Sequence, residues 1–367
     1  MAKSAPHIPL DTIAAKVAAR ERLTLEDCLA LYATRDLLAL GEMANAVRER
    51  LNGPYTHFII NRHINYTNVC ANQCRFCAFS RRGDEADALT LSVEEAVAAA
   101  LQSPDGITEL HVVGGCHPDL PYAYYLELVS RLHAALPHVH LQAFTAVEIA
   151  HLAARAGLST ERVLRDLVAA GLGSLPGGGA EVFAPRVRAE VCPEKLSGDE
   201  WLRVMREAHA LGLRSNATML YGHIETPEEK ADHLLRLRAL QDETGGFLAY
   251  IPLAYHSRHT RLGGRPSTTG FDDLREVAIG RLMLDNFPHV KSFWIMQGLK
   301  VAQVSLSFGA DDLDGTVVQE RITHAAGAET PEALTREDLE ALILEAGRIP
   351  RERDTLYNVV ARPPAGS

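Results

Sequence analysis

Three cysteines inside residues 70–77 restrict this 367-residue chain more than any other feature. Cys70, Cys74 and Cys77 follow a strand-like run over 57–64 in the pattern C-x3-C-x2-C. Thiolates are the usual ligands of iron–sulfur clusters, and a cubane held at every iron needs four of them. Three from one loop leave one iron without a protein ligand. An open metal position is where a small molecule binds and reacts. The spacing therefore points to a catalytic cluster rather than to a pure electron carrier.

Two plainer readings compete. Positions i, i+4 and i+7 share one helix face, so the cysteines could form a buried stripe. Asn65, Thr67, Asn68, Asn72, Gln73 and Arg75 interleave with them, however, and would pack poorly in a core. Zinc could use Cys74 and Cys77, but no second CxxC or CxxH pair follows at finger-like distance. Disulfides are not expected, because the start of the chain lacks the apolar core of an export signal and a cytoplasmic protein keeps its thiols reduced. No apolar run reaches the ~18 residues of a membrane span. A formal net charge of −10 argues against extensive sequence-independent binding to nucleic acid. Cys28, Cys116 and Cys192 are scattered, and each reads as a packed, reduced thiol.

Apolar residues at three- and four-residue spacing predict helices over 11–20, 25–33 and 37–51. From about residue 57 strand and helix patterns alternate. Strands are predicted over 58–65, 107–113, 139–146, 173–176, 214–221, 247–254, 290–296 and, weakly, 308–313. Capping boxes open the helices between them at Ser92 with Glu95, Ser197 with Glu200 and Thr226 with Glu229. Eight such strands fit a (β/α)8 TIM-type barrel, complete or nearly so. A doubly wound open sheet is the alternative. The expected organisation is a helical extension over 1–54, the barrel over 55–315, and a helical extension with a polar, mobile tail over 316–367.

A barrel places its chemistry just after the strands, and the polar residues here fall there. Gly114-Gly115 lets backbone approach a ligand closely. Glu148, with Thr145, offers acceptors to ribose hydroxyls. Gly177-Gly178-Gly179 precedes Glu181 and suggests backbone packed on a bound molecule. His63, His117, His223 and His256 would converge on one rim, and Arg258 offers a carboxylate a bidentate partner. Arg81 and Arg82 are more simply read as solvated charge. With Asp285, these histidines, Glu181 and Arg258 are the candidate substrate contacts.

The signature, with Phe76 directly before Cys77, resembles that of the radical S-adenosylmethionine (radical SAM) superfamily. The resemblance implies that Cys70, Cys74 and Cys77 hold a [4Fe–4S] cluster whose fourth iron is chelated by the cofactor's amino and carboxylate groups. It also implies reductive cleavage to a 5'-deoxyadenosyl radical, and cofactor contacts at Phe76, Gly114, Gly115, Thr145, Glu148, Tyr221 and Gly222. Residues 63–70, 114–121, 143–148 and 177–183 resemble a menaquinone and deazaflavin group within the superfamily. Residues 221–226, 240–247 and 307–316 resemble the aminofutalosine synthase family, with similarity running from about 55 to 360. Cys116 departs from the aliphatic residue expected there.

That family joins the adenosyl radical to 3-[(1-carboxyvinyl)oxy]benzoate to give 6-amino-6-deoxyfutalosine, on a route to menaquinone. The implied partners are the two small-molecule substrates and a one-electron reductant such as flavodoxin or ferredoxin. Three rival readings remain at this point. They are a dehypoxanthine futalosine cyclase, the tyrosine-using enzyme of deazaflavin synthesis, and a zinc- or cluster-binding structural protein without catalysis.

Overall fold

A computed structural model describes residues 8–263 and 266–361. The readings made above for the first seven residues and for the tail over 362–367 lie outside the described residues. The strands are β1 (Tyr55–Ile59), β2 (Asn61–Ile64), β3 (Glu109–Val112), β4 (His140–Ala143), β5 (Ser174–Leu175), β6 (Arg214–Tyr221), β7 (Phe247–Ala254), β8 (His289–Val290), β9 (Asp312–Gly315) and β10 (Ile349–Glu352). β2 to β8 form a parallel sheet in sequential order. Parallel neighbours need a crossover, and the amphipathic segments read from the sequence supply it.

The ends of that sheet meet. β9 lies parallel to β1, with His57 opposite Asp312 and Ile59 opposite Gly315. On its other side Asp312 bridges Lys291, just past β8. Since β1 and β2 are one strand interrupted at Ile60, the parallel barrel closes, and an Arg62–Val318 bridge extends the seam. The barrel reading holds and the open doubly wound sheet does not.

Three boundaries differ from expectation. The apolar run 290–296 stops being a strand at Val290, and Trp294–Gln297 is a short helix. Apolarity alone does not separate these two states in so short a run. The Trp294 indole donates to Gly315 O at 2.9 Å, which turns that segment across the barrel end. The eighth strand sits at Asp312–Gly315 rather than 308–313, because its acidic residues find partners inside the barrel and do not read as a strand. β10 occupies a stretch expected to be helical or irregular and pairs in parallel with β1 on the side away from β9.

Helices Leu10–Ala19, Leu25–Ala33 and Leu37–Asn52 precede the barrel close to where they were predicted. Arg48, fully buried in the third, fixes it to the barrel floor by donating to Gly53 O at 2.7 Å, Thr56 Oγ1 at 2.8 Å and Ala310 O at 3.3 Å. Among the described residues no helix is long and apolar enough to cross a membrane. Barrel interiors are usually filled by Val, Ile and Leu, but this one is polar. His63, Glu109, His111, Gln142, Asn216, Lys291 and Asp314 face a cavity. Beneath them Arg353 donates to Asp312 at 2.6 Å and Arg281 pairs with Asp311.

Candidate active site

The cavity, about 290 Å³, is walled by the loops that follow the strands. Its mouth is the cysteine loop, whose shape is set by backbone and amide bonds from several directions. Cys70 N donates to Arg81 O at 2.9 Å, and Arg81 N donates to Asn68 O at 2.8 Å. Asn68 in turn accepts from Leu89 N at 2.6 Å and donates to Asp87 O at 2.9 Å. Arg75 N donates to Val191 O at 2.8 Å, while the Arg261 guanidinium holds Gln73 O at 2.7 Å. The loop is thus pre-formed by the protein. Cys70, Cys74 and Cys77 are all free thiols and all face the cavity, Cys74 being the buried one. A hydrogen bond from the Cys116 thiol is the chief cause that lowers Cys70 to about 6, whereas burial pushes Cys74 up to about 12.

Gly114 and Gly115 also line the cavity, yet their lack of a side chain serves the cysteine loop itself. A Cβ on Gly115 would stand 2.2 Å from Val69 O and 2.9 Å from Cys70 Cβ. One on Gly114 would stand 2.9 Å from Thr67 O and from the Tyr66 ring. Gly115 thus makes room for the cysteine loop, and the turn still faces the cavity where the cofactor contact is expected. Gly115→Ala should displace Val69 and Cys70 and cost about 1–3 kcal/mol, as overpacking does. Iron and sulfide bound after anaerobic reconstitution should then fall, rather than cofactor affinity alone. Wild-type iron content in that variant would return the glycine to the cofactor.

Glu148 faces the cavity too, but its four lone-pair positions are taken. Oε1 accepts from Tyr66 Oη at 2.8 Å and Gly114 N at 3.1 Å. Oε2 accepts from Thr145 N at 2.7 Å and Thr145 Oγ1 at 2.8 Å. It caps the helix Ala146–Ala156 and clamps the Gly114 turn, a structural role beside the cavity where the ribose contact is expected. Of the other predicted contacts, Phe76, Thr145, His63 and Glu181 reach the cavity.

The rest do not line it. Tyr221 is buried and donates to Asp273 at 2.7 Å, and Gly222 packs against Thr268 with φ of +89°. His223 lies against Glu225, its Nδ1 3.0 Å from that carboxylate. His117 Nδ1 accepts from Asp119 N at 3.0 Å, closing its own turn. His256 is bonded to Met296 O at 2.9 Å. Arg258 is exposed and pairs with Glu329, and Arg81 pairs with Asp87 at 2.8 Å. Asp285 sits on the loop entering β8, at the opposite end of the barrel, 3.0 Å from Arg22. Apart from Asp285, which precedes a strand, these residues lie at or after strand ends at the cavity end of the barrel but are turned away from the cavity.

The cations that do face the cavity were not singled out from the sequence. Lys195 is 2.6 Å from Glu181 and stands over the Phe76 ring, 5.1 Å from its centroid. Lys291 is 3.7 Å from Asp314 at the far end. Lys195 precedes a helix cap and reads as surface. Lys291 left one usable signal, a lone charge inside the apolar run 290–296.

A model of the radical SAM superfamily matches residues 64–237, and one of the CofH/MqnC C-terminal region matches 244–365. The chain is 50% identical to an aminodeoxyfutalosine synthase of Thermus thermophilus over 95% of each chain. It is 48% identical to one of Streptomyces coelicolor, covering 94% of this chain and 92% of that one. It is 41% identical to a 5-amino-6-(D-ribitylamino)uracil–L-tyrosine 4-hydroxyphenyl transferase of Methanopyrus kandleri, over 90% and 91%. Among solved structures, methylornithine synthase superposes with a TM-score of 0.71 at 18% identity, covering 92% of this chain and 97% of that one, and shows the shared fold. With its thiol loop at the mouth of a parallel barrel and relatives along its whole length, the chain belongs to the radical SAM superfamily, as a transferase that uses a [4Fe–4S] cluster and S-adenosylmethionine.

Proposed function

We propose that the chain joins the 5'-deoxyadenosyl group to 3-[(1-carboxyvinyl)oxy]benzoate, giving 6-amino-6-deoxyfutalosine for menaquinone synthesis, with Cys70, Cys74 and Cys77 as the cluster ligands. The observation that carries this reading is the identity of 50% and 48%, along nearly the full chain, to two aminodeoxyfutalosine synthases. The donor set fits the group, because three thiols on one pre-formed loop leave one iron for the cofactor. When bound, cluster and cofactor supply a one-electron cleavage that yields a primary carbon radical.

The chain's own residues have the task of holding reactants. Lys195 and Glu181 present opposite charges beside the cysteine loop, suited to a carboxylate and an ammonium group respectively. Lys291 offers the cation for the aromatic carboxylate at the other end, 3.7 Å from Asp314, whose carboxyl is raised by burial. Val113, Val147, Ile251, Leu253, Phe293 and Met296 form apolar walls. Such walls exclude water, and because a primary radical attacks whatever lies nearest, their own C–H bonds included, the vinyl carbon has to be held closest to it. Positioning, rather than acid–base work, is the main demand. A flavodoxin- or ferredoxin-class protein supplies the electron in this reading.

The rival is a 4-hydroxyphenyl transferase acting on tyrosine, named for relatives at 41% identity. Cofactor labelled with carbon-13 in the ribose separates the two. With the enol-ether benzoate, the label is expected in a nucleoside–benzoate adduct. Label found mainly in free 5'-deoxyadenosine, with a substrate-derived product lacking it, would rule out addition.

A further inference from the structure

We propose that the barrel floor binds a zinc ion through His57 Nδ1, His289 Nδ1 and Asp311 Oδ2, at the seam where the ring of strands closes. The three residues come from three neighbouring strands: His57 from β1, His289 from β8 and Asp311 from the position before β9. Backbone bonds set their spacing, His57 N donating to Asp311 O at 2.7 Å and Asp311 N to Val290 O at 3.1 Å. Their ligand atoms all lie within 4.8 Å of one another. Asp311 is fully buried and His57 nearly so, while His289 keeps an edge open to solvent. None of the three lines the cavity, so the site is separate from the cysteine loop and does not rest on the reading given to it.

Two imidazoles and a carboxylate make a zinc donor set, with the fourth tetrahedral position left to water. Bonds of about 2.0–2.1 Å put the donor atoms of such a tetrahedron ~3.3 Å apart. His57 Nδ1 stands 3.5 Å from Asp311 Oδ2, close to that spacing. His289 Nδ1 is 2.6 Å from the same oxygen. That contact opens by ~0.7 Å when a cation replaces the proton between the two atoms. The ring proton then sits on Nε2. The surroundings suit a ligating carboxylate, which is commonly held by outer hydrogen bonds. Asp311 Oδ1 is engaged by Arg281 and by Val290 N at 2.8 Å, which leaves Oδ2 for the metal and turns the arginine charge to the other oxygen. The Tyr357 ring lies flat on His289 with centroids 3.6 Å apart, and edge-on to His57 at 5.6 Å, fixing both imidazole planes. One ion so placed ties together the three strands that the seam joins.

The test is anaerobic equilibrium dialysis of the cluster-loaded protein against Zn2+, with zinc and iron counted by elemental analysis. One zinc per chain is expected beside the iron. Zinc-edge X-ray absorption should show nitrogen and oxygen neighbours at about 2.0–2.1 Å, without the sulfur at about 2.3 Å that cysteine ligands would give. His57→Gln and His289→Gln each keep an amide that donates to Asp311 but lose the metal donor. Each should bind zinc at least ~100-fold more weakly, the upper end of what loss of an outer hydrogen-bond partner costs. Zinc should raise the melting temperature of the wild type and of neither variant, because a ligand stabilises only the state that binds it. Should a glutamine variant fail to fold, the stoichiometry and neighbour atoms of the wild-type zinc decide. No zinc on the wild type, equal zinc on the wild type and both variants, or zinc bound through sulfur alone would overturn the proposal.

Discussion

Single replacement of Cys70, Cys74 or Cys77 by alanine should leave a folded protein that cleaves no S-adenosylmethionine, with activity at background. The loop carrying them is shaped by bonds to Arg81 O, Val191 O and the Arg261 guanidinium, none of which involves a thiol. Its fold should therefore survive the loss of a ligand, and the defect should be in iron content. Cys28→Ala and Cys192→Ala should keep wild-type iron, since both thiols are fully buried and neither lines the cavity. Iron and sulfide assays with anaerobic cofactor cleavage decide the matter. Cluster loss in Cys28→Ala or Cys192→Ala, or cleavage by one of the three ligand variants, would refute the assignment.

The second large effect is expected at the barrel floor, and it concerns stability. Asp311 is fully buried and accepts from His289 Nδ1 at 2.6 Å and Val290 N at 2.8 Å while pairing with the buried Arg281. Removing one partner of such a pair leaves an uncompensated charge, and the loss is typically about 3–5 kcal/mol. Asp311→Ala should show that loss in denaturant unfolding, and Asp311→Ala with Arg281→Met should recover part of it. A cost below ~1 kcal/mol, the scale of an exposed pair, would show that the charges are solvated. Burial opposes ionisation of Asp311, but His289 and Arg281 outweigh it and hold the carboxyl far below its ordinary 3.8. Its folded value being the lower one, the contribution is fully present above about pH 4 and fades as the pH falls further. The wild type should accordingly lose more stability to acid than the alanine variant.

Chain order alone carried much of this protein. β6 and β7 coincide with their predicted limits because β7 is a long apolar run behind Gly245-Gly246, while β6, though half polar, is bounded by Gly212 and Gly222. The cysteine loop was legible because metal ligation demands fixed spacing, and spacing is written directly in sequence. What escaped was whatever depends on meeting a distant residue. Asp312 and Asp314 look like surface until Arg353 and Lys291 arrive beside them. Glu148 looked free until Tyr66 and Gly114 were seen to occupy it. β10 is polar, and its strand character comes from pairing with β1 rather than from its own residues.

The barrel seam also constrains the order in which the protein is made. β1 begins at Tyr55, but its two neighbours are Asp312–Gly315 and Ile349–Glu352. A ribosome has released the cysteine loop and all of β2 to β8 before either neighbour exists. Between the release of β8 and that of β9 the nascent chain holds the curved β2–β8 sheet with one side still open. Closure waits for β9, and Arg353, just past β10, then arrives to neutralise Asp312. A chain cut short ahead of residue 349 would leave the buried Asp312 carboxylate at the seam without Arg353.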